Sequence, residues 1–281
     1  MSLADLPRRL ISRWRRPGPV VAVLRLEGVI GGSARRGVTL RRYAGAIERA
    51  FRQRRLKGVA LAINSPGGSA AQSQLLYRRI RQLADEHGVP VFAFAEDVAA
   101  SGGYWLALAA DEIYAEETSL VGSIGVVSAG FGFAQVLNRF GIERRLYTAG
   151  ENKSMLDPFL PEKSADVERL GTLQRDVHES FKSLVRTRRG ARLKGGDDAL
   201  LAGDVFTGRR ALELGLIDGV GDLRGILRDR FGDTVRLRAV EPERRRFALS
   251  LRRPRAPDVL DLAAELLSFV EERLIWARFG L

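Results

Sequence analysis

The chain has 281 residues, of which 45% are hydrophobic and 28% charged, as expected for a folded protein with one large domain or two small ones. It contains no cysteine and only two histidines, which excludes a disulfide framework, thiolate chemistry and a multi-histidine metal site within one chain. The net charge of +12 comes from arginine. Because the arginines are spread along the chain and accompany no recognisable nucleic-acid module, we expect no nucleic-acid partner.

The first 18 residues are basic but lack the long apolar region of a signal peptide. The longest apolar run, residues 98–110, is far shorter than the roughly 20 residues that a membrane-spanning helix needs. The sequence therefore predicts no signal peptide and no transmembrane helix. We expect a cytoplasmic protein, or one peripheral to the cytoplasmic membrane, with peripheral membrane contact through the basic N-terminus.

Apolar runs and helical periodicities alternate along the chain. The predicted strands cover residues 20–24, 58–64, 91–95, 112–115 and 144–148. The predicted helices cover residues 40–54, 71–87, 101–110, 133–140 and 162–188, with two more inside 204–218 and 223–231. Nearly all-apolar strands that alternate with helices predict an α/β fold with mostly parallel strands, covered on both faces.

The end of the chain has a different composition. Residues 241–257 are rich in arginine and proline and resemble a linker, and residues 258–279 carry apolar side chains at helical spacing. We therefore predict four parts. They are a basic segment (1–18), a catalytic domain (19–240), a linker (241–257) and an amphipathic C-terminal helix (258–281). The apolar face of this helix is expected to make a packing or oligomer contact, with a membrane anchor as the alternative.

Ser101 is the candidate nucleophile because it lies between a predicted strand and an apolar helix and is followed by two glycines. A serine at such a turn presents its hydroxyl beside free backbone N–H groups of the helix start. The alternative is a serine that only caps the helix. Gly67 and Gly68, at the end of the preceding strand, could supply further N–H donors, or could form a plain turn.

A serine nucleophile needs a base. His87 lies near a helix end and His178 lies within a long charged helix, so neither occupies an evident active-site loop. A lysine can replace histidine where burial keeps its amine neutral. Of the five lysines, Lys153 alone follows an apolar run in a loop and precedes another apolar run, although a solvated surface role is the alternative.

Four ordered motifs then resemble the signal peptide peptidase A family of Ser-Lys peptidases, which have the ClpP/crotonase-type fold. They are Asn-Ser-Pro-Gly-Gly-Ser at 64–69, Ala-Ala-Ser-Gly-Gly-Tyr at 99–104, Leu-Val-Gly-Ser-Ile-Gly-Val at 120–126 and the tail motif at 208–218, with Lys153 between the last two. The similarity covers residues 20–233 and matches the short, single-repeat form.

The resemblance implies a role for each matching position. Ser101 would be the nucleophile, Lys153 the general base and Ser123 the residue that orients the lysine, while the N–H groups of Gly68 and Gly102 would form the oxyanion hole. No metal and no cofactor are expected. Short members assemble into rings that share each active site between protomers, so a homo-oligomeric ring is expected here.

The expected function is a serine endopeptidase that hydrolyses peptides such as cleaved signal peptides, unfolded segments or membrane-derived segments. Two alternatives remain. A crotonase-type acyl-CoA hydratase or isomerase shares the Gly-Gly loop, although such enzymes usually use carboxylates. A catalytically inactive, membrane-associated ring scaffold would keep the fold without the chemistry.

Overall fold

The first three apolar runs of the sequence form strands that extend beyond their predicted ends. The computed structural model describes residues 18–32, 37–196, 200–242, 270 and 273–281. Its strands are β1 (Val20–Glu27), β2 (Leu56–Ser65), β3 (Val91–Ala100), β4 (Glu112–Ala115), β5 (Leu120–Gly122), β6 (Val205–Thr207), β7 (Gly219–Val220) and β8 (Arg236–Ala239). Its helices are α1 (Leu40–Phe51), α2 (Ala70–His87), α3 (Gly102–Ala107), α4 (Ala134–Arg139), α5 (Ser164–Arg189), α6 (Gly208–Glu213) and α7 (Leu223–Phe231).

The strands form one sheet in the order β6-β5-β3-β2-β1-β8, with β4 paired to β3 and β7 paired to β4. All of these pairings are parallel except that of β5 with β6. Helices return the chain between the parallel strands, as parallel pairing requires. This confirms the predicted α/β class with mostly parallel strands flanked by helices.

Both faces of the sheet are covered, which explains why its central strands are apolar throughout. On β1, Ala22, Leu24 and Leu26 face the large core that also contains apolar residues of α1, α2, α3 and α5. Val21 and Val23, which alternate with them, pack on the other face with Leu227 of α7. The alternation follows from the two-residue period of a strand.

A bulge in β3 positions the end of this strand. Ala95 lies opposite Ile63 and Ala99 lies opposite Ser65, so β3 uses four residues where β2 uses two. The half of β3 before the bulge pairs with β4, and the half after it pairs with β5. The bulge therefore brings the residue that follows β3 beside the end of β5.

Two features differ from the sequence prediction. The strand predicted at 144–148 is wrong, because these residues are exposed and pair with no strand among the described residues. Strands β5, β6, β7 and β8 were not predicted, since two to four residues carry too short a pattern.

The predicted N-terminal segment, the linker and most of the C-terminal helix lie outside the described residues, so the division of the chain into four parts stays a prediction. Within the ranges that the structure describes, no helix is both long enough and apolar enough to cross a membrane. The compartment of the protein also stays a prediction.

Candidate active site

Ser101 occupies a strained turn between β3 and α3. Its φ of 51° and ψ of −118° lie in a region that residues with a side chain rarely adopt, at a cost of about 1–3 kcal/mol. The turn is held by the Ser101 N–H, which donates to the carbonyl of Gly122 at 2.8 Å, and by the N–H of Trp105, which donates to the Ser101 carbonyl at 3.0 Å. The Ser101 side chain makes no capping hydrogen bond. The alternative of a helix-capping serine is therefore wrong.

The Gly67-Gly68 loop lies directly against this turn. A Cβ atom on Gly67 would come within 2.8 Å of the Ser101 Cβ and within 2.9 Å of the Gly102 nitrogen. A Cβ atom on Gly102 would lie 3.3 Å from the Gly68 nitrogen. Gly67 and Gly68 also have φ values of 107° and 139°. Both glycines are needed because the backbone is left-handed here and leaves no room for a side chain.

The backbone N–H groups of Gly68 and Gly102 are available to a ligand. Ile30 uses both of its backbone groups on the residues that flank Gly68, accepting from the Ser69 N–H and donating to the Gly67 carbonyl, each at 2.8 Å. In such a parallel bridge the Gly68 N–H points away from Ile30. Within the described part of the chain, neither this N–H nor that of Gly102 has an acceptor. Two donors beside a serine hydroxyl can stabilise a developing oxyanion.

Ser123 lies at the end of the neighbouring strand. Ala100 pairs with Gly122, so Ser101 and Ser123 leave β3 and β5 side by side. Ser123 also has a positive φ, 53°, and its N–H donates to the Asp204 carbonyl at 2.6 Å. The structure thus brings Ser101, Gly68, Gly102 and Ser123 together at one end of the sheet.

The tail motif anchors the helix that follows Ser101. The Tyr104 hydroxyl donates to the Leu216 carbonyl at 2.7 Å, and the buried Arg189 binds both carboxylate oxygens of Asp218, at 2.7 and 3.0 Å. Burial alone would raise the pKa of Asp218, but hydrogen bonds from Arg189 and from the Ile113 N–H outweigh it and lower this pKa below its usual value. Arg189 also donates to the Gly215 carbonyl, so the charged pair holds the 215–218 segment to which Tyr104 anchors α3.

Lys153 lies elsewhere on the chain. Its side chain is exposed in a turn, and in the described ranges no hydrogen bond joins it to Ser101 or Ser123. It belongs to residues 126–163, which we call the arm. No residue of the arm is buried. The arm folds mainly on itself, with Phe133 stacked on Phe159 and Arg144 paired with Asp157.

Neither histidine supports the Ser-His alternative. His87 stacks on Phe51 at the end of α2, with ring centroids 6.0 Å apart. The Nε2 atom of His178 lies within hydrogen-bond distance of the carbonyls of Ile124 and Leu201. This contact to the residue after Ser123 was not predicted, since it joins residues 54 positions apart and leaves no local sequence signal.

Within the described ranges, no group of three or more histidine, aspartate or glutamate side chains could hold a metal ion.

Comparison with known proteins shows a match to the model of peptidase family S49 over residues 84–229, which is 146 of the 281 residues. The matched range includes Ser101, Ser123 and Lys153 and begins after Gly68. The chloroplastic serine protease SPPA of Arabidopsis thaliana is 35% identical over 174 residues, which cover 60% of this chain and 25% of that protein.

A longer relative carries a different name. The Na(+)/H(+) antiporter NhaA of Brucella abortus is 48% identical over 292 aligned positions, which cover all of this chain and 40% of that protein. The chain thus spans about two fifths of the length of this relative. Among solved structures, the 1510-N membrane-bound stomatin-specific protease in complex with a substrate peptide aligns with a TM-score of 0.50 and 15% identity, over 80% of this chain and 94% of that one. At this identity the likeness concerns the fold.

Proposed function

The chain belongs to peptidase family S49, and on that premise we propose that it is a serine peptidase whose nucleophile is Ser101. One observation carries the proposal. Ser101 is held at a strained strand-to-helix turn while the N–H groups of Gly68 and Gly102, which have no acceptor among the described residues, lie beside it. A peptide carbonyl placed there would meet a nucleophile and two oxyanion donors at once.

The chemistry follows from these groups. The Ser101 oxygen attacks the carbonyl carbon of the scissile bond as a base removes its proton, and the carbonyl oxygen becomes an oxyanion bound by the two glycine N–H groups. Collapse of this intermediate breaks the C–N bond, and the amine leaves with the proton held by the base. A water molecule then attacks the acyl-serine ester, which releases the second peptide product and restores Ser101.

We assign the general base to Lys153, oriented by the Ser123 hydroxyl. Arginine cannot replace it, because a guanidinium does not lose its proton in proteins. Since the Lys153 side chain is exposed on the arm, whereas Ser101 lies at the end of the sheet, we place Lys153 in the active site of a neighbouring protomer.

The composition of the arm supports this assembly. The arm carries ten of the eighteen large exposed hydrophobic residues found among the described positions, including Phe131, Phe140 and Tyr147, which are 79%, 73% and 90% exposed. A concentration of exposed apolar side chains of this kind is typical of surfaces that contact another protein or a membrane, and we interpret it as a protein-protein interface. A head-to-tail contact in which each arm covers the next protomer forms a ring when its rotation closes. We propose such a ring, with a lysine from one protomer beside a serine of the next.

The substrates we propose are peptides in extended form, such as cleaved signal peptides, unfolded segments or membrane-derived segments. No described contact places a carboxylate against Ser101, Gly67 or Gly68. The crotonase-type hydratase or isomerase, which usually depends on carboxylates, is therefore the weaker alternative. An inactive scaffold remains as an outcome of the test.

The test uses a fluorophosphonate probe on the full chain. The wild type should be labelled on Ser101 and should hydrolyse an unfolded protein substrate, whereas Ser101→Ala should do neither. Wild-type protein that shows neither labelling nor hydrolysis would indicate a scaffold, and acyl-CoA hydration without labelling would indicate the crotonase alternative.

The shared site has its own test. Inactive Ser101→Ala and inactive Lys153→Ala proteins, dissociated and reassembled together, should regain part of the activity, because some neighbouring pairs then hold one intact serine and one intact lysine. If mass spectrometry confirms subunit exchange and no activity returns, both residues act within one protomer.

A further inference from the structure

His178 connects α5 to the turn that carries Ser123. Its Nε2 atom lies 2.9 Å from the carbonyl oxygen of Ile124 and 2.8 Å from that of Leu201. Both partners are acceptors, so Nε2 carries a proton and shares its N–H between them. This nitrogen therefore serves as a donor and has no free lone pair with which to act as a base.

The two carbonyls belong to the segments that hold Ser123 in place. Ile124 is the residue after Ser123, and its side chain is fully buried. Leu201 begins a short stretch that reaches Asp204, whose carbonyl accepts the Ser123 N–H at 2.6 Å. The imidazole thus joins the Ser123 turn to the 201–204 stretch at a second point, in addition to the Asp204 bond.

Ser123 needs such support because its φ of 53° is costly for a residue with a side chain. A strained turn persists only when its surroundings hold it. Gly122 precedes it and Gly125 follows two residues later, so its neighbours do not stiffen the backbone. Among the described residues, His178 is the one side chain that hydrogen-bonds to the 122–125 turn.

The position of His178 on α5 suits this role. The half of α5 that follows the arm is mostly exposed, and the half after His178 is anchored in the core by the buried Phe181 and Val185. His178 therefore lies where the helix meets the core, and Phe181 stacks on Trp105 of α3 at 4.5 Å between ring centroids. The imidazole is held by a rigid part of the helix.

We propose that His178 is a positioning residue for catalysis, and that its hydrogen bonds keep the Ser123 hydroxyl directed at the lysine amine. This role rests on the proposed function, in which Ser123 orients Lys153. His178 acts through the Ser123 backbone and touches neither the substrate nor Ser101.

Two variants of equal side-chain length test the proposal. His178→Gln keeps an amide donor that reaches the same carbonyls, whereas His178→Met fills a similar space without a donor. We expect His178→Met to lower kcat about tenfold with KM within about a factor of two, and His178→Gln to retain most of the activity. Equal losses in both variants would overturn the proposal, because the donor would then be irrelevant.

A double-mutant cycle with Ser123→Ala separates positioning from general stability. If His178 acts through Ser123, His178→Met should cause little further loss of kcat in the Ser123→Ala background. Independent, multiplying losses would overturn the proposal. If Ser123→Ala alone leaves kcat unchanged, His178 has no catalytic role to play through it.

Amide hydrogen exchange gives a readout that does not depend on activity. The Ser123 N–H should exchange about tenfold faster in His178→Met than in the wild type, and His178→Gln should protect it. If the Ser123 N–H stayed equally protected in His178→Met, the proposal that His178 holds the Ser123 turn would be overturned. Failure of the proposed function would appear separately, as full activity in Ser101→Ala.

Discussion

The sheet end that carries Ser101 and the arm that carries Lys153 differ in how their residues are packed. Around Ser101 most residues are buried, and hydrogen bonds hold the backbone on both sides of the turn. Glycines allow the neighbouring backbone segments to come into contact. The arm has no buried residue and exposes a concentration of aromatic and aliphatic side chains. The sheet end is packed within a single chain, whereas the arm exposes apolar surface that a partner could cover.

This difference bears on how activity could be controlled. Folding alone arranges the proposed nucleophile and oxyanion donors, at the cost of strain at Ser101. If the base comes from the arm of a neighbour, peptidase activity appears only after assembly, and an isolated protomer is inactive. Substitutions in one region should therefore leave the other region unchanged.

The largest effect is expected at Lys153. Lys153→Ala and Lys153→Arg should each lower kcat by roughly 10³-fold or more, because neither side chain can accept the serine proton. Thermal unfolding should be nearly unchanged, since an exposed side chain contributes little to stability. Steady-state kinetics and calorimetry measure both. Substantial turnover by the arginine variant would show that position 153 provides charge and not proton transfer.

The Arg189-Asp218 pair in the core should contribute more to the free energy of unfolding than the charged pairs of the arm. Asp218→Asn should lower the free energy of unfolding by about 3 kcal/mol, because it leaves the buried Arg189 without its counter-ion. The pKa of Asp218 is lowered on folding, so its contribution is present above the unfolded value of about 4 and is lost as the pH falls through the folded value.

Denaturant titrations between about pH 2 and pH 7 measure this contribution. The gap in stability between wild type and Asp218→Asn should close on the acidic side. The matched control is Glu143→Gln, which removes an exposed carboxylate that pairs with Arg145 in the arm. It should change stability little at any pH. If the two substitutions lowered the free energy of unfolding equally, the charged pairs of the arm and of the core would not differ in their contribution to stability.

A large effect on kcat is also expected in the Gly67-Gly68 loop. Gly68→Ala should lower kcat about 100-fold, because a Cβ atom would lie 2.1 Å from the Ile30 carbonyl oxygen and would displace the N–H donor. Gly88→Ala is the control, since Gly88 also has a positive φ but open space around its Cβ position. It should cost stability and leave kcat per folded molecule unchanged. Equal kinetic losses would refute a specific role for the Gly68 N–H.

The smallest effect is expected on assembly. Phe140→Ser in the arm should raise the concentration at which the oligomer dissociates by about tenfold or more, because it removes apolar area that the partner would bury. Leu75→Ser on α2 removes another exposed apolar side chain and should leave dissociation unchanged. Analytical ultracentrifugation distinguishes the two. A wild-type monomer at all concentrations would contradict the ring.

Much of the core could be predicted from the sequence, because its signals are local. Buried parallel strands require continuous apolar runs, and a serine between such a run and a Gly-Gly pair requires a sharp turn, so β1 to β4, α3 and Ser101 follow from neighbouring residues. Lys153 was selected by the scarcity of lysine and by the family resemblance, and Ser123 by the resemblance alone.

Tertiary structure decided the rest, because the remaining features depend on residues far apart in the chain. The bulge in β3 places β5, and hence Ser123, beside Ser101. The docking of Ile30 on both sides of Gly68 turns that N–H toward the site, and His178 meets Ile124 across 54 positions. The stretch at 144–148, with the sequence Arg-Arg-Leu-Tyr-Thr, shows the converse case. Its residues have the pattern of a strand, but a strand forms only where another strand offers hydrogen bonds, and the fold leaves this stretch on the exposed arm.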